Sequence, residues 1–167
     1  MSKHESLMDI YVDELKDLWS ANDQMQRALR KIAPQASNEN LQQLLAEAPE
    51  GIESHTSLLK ALIENQDEEV SKEHCKGMEG LAAEAIKHAV EDAPEKGPLL
   101  DVVIVTQFQR MTHYGIAGFG TAAALASALG LDDDQEQLGD AVAEMYDTDE
   151  LMSELAEEAI NLDAAEE

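Results

Sequence analysis

Apolar residues recur along most of this chain at alternating spacings of four and three, the period of an amphipathic helix. The stripe Tyr11, Leu15, Leu18, Asn22, Met25, Leu29, Ile32 predicts a first helix from about Glu5 to Ala33. Pro34 stops it, since proline lacks an N–H and restricts its predecessor. Leu41, Leu45, Ala48, Ile52, His55, Leu59 and Leu62 predict a second helix, capped by Ser37 or Asn38 and running to about Gln66. A third opens at Pro98, a favoured first helical position, and ends at Gly130 in the place of a left-handed cap. It is apolar on most sides, with Val105, Phe108, Thr112, Gly115 and Phe119 as one stripe. Asp133 and Glu136 have capping-box spacing for a fourth helix to about Leu162, with the stripe Leu138, Val142, Met145, Asp149, Met152, Ala156, Ala159.

The connections set the architecture. Helices one and two, and helices three and four, are joined by short loops, which predicts two antiparallel hairpins. Between the hairpins lie Asp67 to Gly97, with a short helix marked by Cys75, Met78, Ala82, Ile86 and Ala89. This is an all-α reading: two hairpins and one long crossover, the connectivity of a ferritin-like antiparallel four-helix bundle. A generic bundle with a small additional helix has the same pattern. The 167 residues suit a single domain over 1–167.

Each seam contains one polar interruption near its midpoint: Asn22, His55, Thr112 and Asp149. In an antiparallel bundle midpoints share a level, so the four are expected to form one buried polar layer. Bundles build metal and cofactor sites at such layers. The same residues can also satisfy one another and fix helix register with no ligand at all.

Charge narrows the partners. The chain has 36 Asp and Glu against 11 Lys and Arg, a formal charge of −25, and no basic residue follows Arg110. Direct nucleic-acid binding is disfavoured, because displacing phosphate counterions needs clustered cations. Met111 to Leu131 carries no formal charge and is long enough to span a bilayer, but it is mostly Gly, Ala, Ser and Thr. It reads as a buried helix, with no membrane partner. The single cysteine, Cys75, and an N-terminus without an apolar run predict a cytoplasmic location.

Several motifs together resemble the bacterial YciE/YciF family of stress-associated ferritin-like proteins. They are Asp17-Leu-Trp-Ser-Ala-Asn22 with Arg27-Ala-Leu, Cys75-Lys-Gly-Met-Glu-Gly-Leu, His113-Tyr-Gly-Ile-Ala-Gly-Phe-Gly120, and Asp147-Thr-Asp149. The resemblance covers nearly the whole chain and implies a di-metal carboxylate centre, from whose ligands this sequence departs. Asn22 stands where the family pattern has a glutamate. Its Glu-x-x-His becomes Ile52-Glu-Ser-His55, its Glu-His-Tyr-Glu becomes Thr112-His-Tyr-Gly115, and its helix-four Glu and Asp become Met145 and Asp149.

Two divalent ions in a dry core need carboxylates to balance them. The expected layer offers one carboxylate and one imidazole. A weak single-ion site for iron or another divalent metal remains, with His55 and Asp149 as ligands and Asn22 as a neutral oxygen donor. Glu53 and Glu144 neighbour the seam but belong to positions turned about 100° away. No catalytic residue is identified. The expected function is therefore a structural or interaction role with a degenerate di-metal site. The alternative is an iron-binding or oxidoreductase di-metal protein using substituted ligands. A Gly118, Ala122, Ala126 stripe of small residues permits close helix approach, within the chain or in a homodimer.

Overall fold

A computed structural model describes residues 4–70 and 74–166. Met1–Lys3, part of the N-terminus read above for a leader, and residues 71–73 of the crossover lie outside the described residues. The described residues form helices and connecting turns, with no strand.

Helix α1 spans Leu7–Ile32. It starts at a reciprocal capping box in which Ser6 Oγ accepts from the Asp9 N–H and Asp9 accepts from the Ser6 N–H. A 3-10 turn, Ala33–Gln35, leads to α2, Glu39–Asn65, where Asn38 is the cap and accepts from the N–H groups of Asn40 and Leu41. Asp101, 2 % exposed, holds this loop from the third long helix. Its carboxylate accepts from the Ser37 N–H at 2.7 Å, the Ser37 hydroxyl at 2.5 Å and the Asn38 N–H at 2.9 Å. Three hydrogen bonds to one carboxylate compensate for its removal from water.

The crossover carries α3, Lys76–Ile86, extended by a π turn at Lys87–Glu91. Helix α4, Pro98–Ala128, ends as the sequence predicts: Gly130 adopts φ +71° and the Leu131 N–H bonds back to the Ala126 carbonyl. Helix α5, Asp132–Leu155, begins differently from expectation. Leu131 is the cap residue, no side chain caps the helix, and Asp133 lies inside the first turn. The left-handed turn at Gly130 passes directly into helix. Asp134 ties that first turn to α1 by accepting from the buried Tyr11 hydroxyl at 2.9 Å. Three acids in the first turn are favourable there for the helix dipole.

The expected continuous helix to Leu162 is instead interrupted by a π turn at Ala156–Ile160, followed by α6, Asn161–Ala165. The extra residue in that turn moves the inward face on by one, so Ile160 is buried where the period pointed to Ala159.

The four long helices form a square. Helix α1 neighbours α2 and α4, α5 neighbours α4 and α2, and α3 lies against α1 and α4. At Gly118 the close approach is intramolecular: a Cβ there would stand 2.4 Å from Leu18 Cδ2 of α1. No described helix is long and apolar enough to cross a membrane.

The apolar core divides into two clusters. One gathers Leu29, Ile32, Leu41, Ile104, Phe108 and Met152, and the other Tyr11, Leu15, Leu59, Ile63, Phe119 and Leu138. Asn22, His55 and Thr112 fall at the boundary, each between a residue of one cluster and a residue of the other along its own helix.

Candidate functional site

A cavity of about 190 Å³ opens at that boundary, among α1, α2, α3, α4 and α5. Asn22, His55 and Thr112 line it, and all three are more than nine-tenths buried. Most of the remaining wall is apolar, including Phe108 and four of the seven methionines, Met25, Met78, Met111 and Met145.

The polar groups have different fates. Thr112 donates its hydroxyl to the Phe108 carbonyl of its own helix at 3.0 Å. The His55 ring lies tilted against Phe119, with centroids 5.7 Å apart. Its Nε2–H donates to Glu144 Oε2 at 2.8 Å, since a carboxylate can only accept. The Asn22 amide has no protein hydrogen-bond partner among the described residues and borders the cavity.

Asp149 occupies a different place from the one the seam pattern gave it. It is half-buried and does not line the cavity. Its carboxylate accepts from His113 Nε2–H at 2.9 Å and from Gln109 Nε2 at 3.1 Å. The Gln109 amide also reaches the Ser153 hydroxyl at 2.8 Å. Asp149 therefore joins α4 to α5 on the outer side of their seam. The period of α5 marked it as inward, but the α5 residues that line the cavity are Glu144, Met145, Thr148 and Leu151, so at this level the inward position is Thr148, one residue before Asp149. Glu144, read as turned away, is the carboxylate that reaches His55. A long exposed side chain at the helix edge can fold back over the seam.

A second polar cluster, missed in the sequence, flanks α3. Cys75 caps α3, its Sγ accepting from the Met78 N–H, and its own N–H donates to the Ser20 hydroxyl. The Cys75 thiol lies 3.0 Å from Tyr114 Oη, and that hydroxyl donates to Asp17 Oδ2 at 2.9 Å. Burial raises the pKa of both the thiol and the phenol, and their mutual hydrogen bond adds to the rise for Tyr114. Gly77 makes the packing feasible, because a Cβ there would stand 2.7 Å from the Tyr114 ring. The Asp17-Leu-Trp-Ser, Cys75-Lys-Gly and His113-Tyr strings each carry a part of this cluster, and nothing in their spacing brings them together. His74 pairs with Glu79, and His88 with Glu84.

The donor set does not fit a di-metal carboxylate centre. Among the described residues no three His, Cys, Asp or Glu side chains stand together so as to hold an ion. Within the cavity wall the ionisable groups are His55, Glu47, Glu144 and the hydrogen-bonded Tyr114. Both carboxylates belong to exposed residues.

Four antiparallel long helices in two hairpins, with a central site at mid-height, define a ferritin-like helical bundle. The chain belongs to the family described as Domain of unknown function (DUF892), whose pattern matches residues 6–165. It is 30 % identical to Protein YciF of Escherichia coli strain K12 over 158 residues, covering 94 % of each chain. The crystal structure of that organism's stress protein YciF superposes with a TM-score of 0.87 at 30 % identity, over 95 % of this chain and 99 % of that one. YcfI of Rhodopseudomonas palustris superposes with a TM-score of 0.84 at 28 % identity, over 92 % and 97 % of the two chains.

Proposed function

We propose that this protein is a ferritin-like scaffold whose central di-metal site has degenerated into a ligand-accessible cavity, and that it acts by structure and interaction rather than by redox catalysis. One observation carries the reading. Of the seven positions that the YciE/YciF resemblance matches to carboxylate and imidazole ligands, six line the cavity: Asn22, Ile52, His55, Thr112, Gly115 and Met145. Five of those six offer no charged donor. Two divalent ions there would keep most of their charge uncompensated in an apolar wall, at a cost of several kcal/mol per ion.

The reading extends to a cytoplasmic homodimer acting in a stress response. A single buried cysteine needs no oxidising compartment, and the E. coli relative is described as a stress protein. The charge of −25 leaves nucleic acid outside the expected partners.

A second reading, iron or another divalent metal held by His55 with Asp149 and Asn22, draws support from the buried imidazole. It requires Asp149 to leave His113 and Gln109, or Glu144 to replace it. Anaerobic Fe(II) loading followed by oxygen exposure tests both readings. The scaffold reading expects iron to oxidise at the rate of protein-free buffer. Accelerated oxidation that disappears in His55→Ala would favour the metal reading.

A further inference from the structure

We infer that the central cavity binds a small arylalkylamine, with the aromatic ring among the methionines and the ammonium group at the mouth. The inference rests on the reading that no di-metal cluster fills this space.

The interior selects a ring. Its 190 Å³ exceeds the roughly 150 Å³ of an apolar protein cavity that admits benzene. Thioether sulfurs and Phe108 favour aromatic contact, and methionine adapts its rotamers to the shape of a guest. The cavity is partly open to solvent between α2 and α5, so a guest can enter without global unfolding. Asn22 lines the wall as well, and its amide can donate to or accept from a guest or water.

The mouth selects charge. Glu47 of α2 and Glu144 of α5 are both exposed and both border the opening, and no Lys or Arg lies in the wall. An ammonium carried two carbons from a ring would sit near these carboxylates while the ring stays inside. An anion of the same shape would be repelled, and the net charge of −25 would further enrich cations near the surface.

The test uses full-length, chelator-treated protein with 13C-labelled methionine methyl groups, titrated with 2-phenylethylamine, ethylbenzene and phenylacetate. Ring-current shifts at Met25, Met78, Met111 and Met145, saturating at one ligand per chain, with Met8 and Met152 unmoved, are the expected result for the amine. Ethylbenzene should shift the same methyls, and phenylacetate should bind at least tenfold more weakly than the amine. The variant Glu47→Gln changes an exposed side chain that does not touch His55, and should weaken the amine roughly threefold while leaving ethylbenzene unaffected. Absence of saturable shifts at these four methyls would overturn the inference while leaving the scaffold reading intact. Equal binding of amine and phenylacetate would overturn the assignment of charge. Two tightly bound metal ions per chain before chelation would overturn both the inference and the reading beneath it.

Discussion

His55 of α2 and Glu144 of α5 meet across the bundle, imidazole Nε2 to carboxylate Oε2 at 2.8 Å, and so join the two hairpins at the level where the apolar core divides. The imidazole is buried and the carboxylate is mostly in water. The contact therefore satisfies the buried partner while leaving the other free to move. His55→Ala should open the cavity further and leave Glu144 solvated, with a loss of about 1–2 kcal/mol in chemical denaturation. Glu144→Gln should cost under about 1 kcal/mol, because the amide still accepts and the site is exposed.

Asp101 should matter more to stability than either. Asp101→Ala removes three hydrogen bonds from the α1–α2 loop, two of them to backbone N–H groups. A loss of about 2–3 kcal/mol is expected, read from urea denaturation at constant m-value. Asp149→Ala, at a half-buried site with an exposed histidine partner, should lose only about 0.5–1.5 kcal/mol.

Gly77→Ala should disturb α3 specifically. The added methyl would strike the Tyr114 ring, which cannot swing away without giving up Asp17 and Cys75. Overpacking of this kind costs about 1–3 kcal/mol. A thiol-reactive dye reports the same event, since native Cys75 is buried and its pKa is raised. Slow labelling is expected in the natural protein and markedly faster labelling in Gly77→Ala.

Glu14 gives a pH signature. Burial first, and then the charge of Asp17, raise its pKa above the ordinary value of 4.5. The folded state then holds this proton more tightly than the unfolded chain, so stability from this group is present below pH 4.5 and falls as pH rises through the folded pKa. Glu14→Gln should raise the melting temperature at pH 7 and leave it nearly unchanged near pH 4. A melting difference of equal size at both pH values would show that desolvation of Glu14 is not the cause.

The fold was legible because its signals are local. Pro34, Asn38, Gly97-Pro98 and Gly130 each punctuate a helix by a backbone mechanism, and the apolar period did the rest. The centre was legible in part. Asn22, His55 and Thr112 stand together because midpoints of antiparallel helices share a level. Asp149 escaped the rule, since the inward face of α5 runs through Glu144, Met145, Thr148 and Leu151, and a residue at the edge of a stripe is placed inward or outward by a small rotation of the helix. The π turn at Ala156–Ile160 breaks the very period used to read α5. The Cys75–Tyr114–Asp17 cluster joins three helices and has no periodic trace in any one of them.

If lost ligands explain the altered centre, restoring them should rebuild it. All five positions of Asn22→Glu, Ile52→Glu, Thr112→Glu, Gly115→Glu and Met145→Glu border the cavity. The combined variant is expected to gain a metal-dependent rise in melting temperature, with the natural protein measured beside it expected to show none. A folded variant with no response to Fe(II) or Mn(II) would mean that more than these side chains separates the cavity from a metal centre.

The most direct measurement is metal content per chain by plasma mass spectrometry, on protein purified without chelator or affinity-tag metal and then loaded anaerobically with Fe(II) and desalted. The account predicts well under one retained ion per chain. Close to two iron or manganese ions per chain would contradict it and restore the di-metal centre.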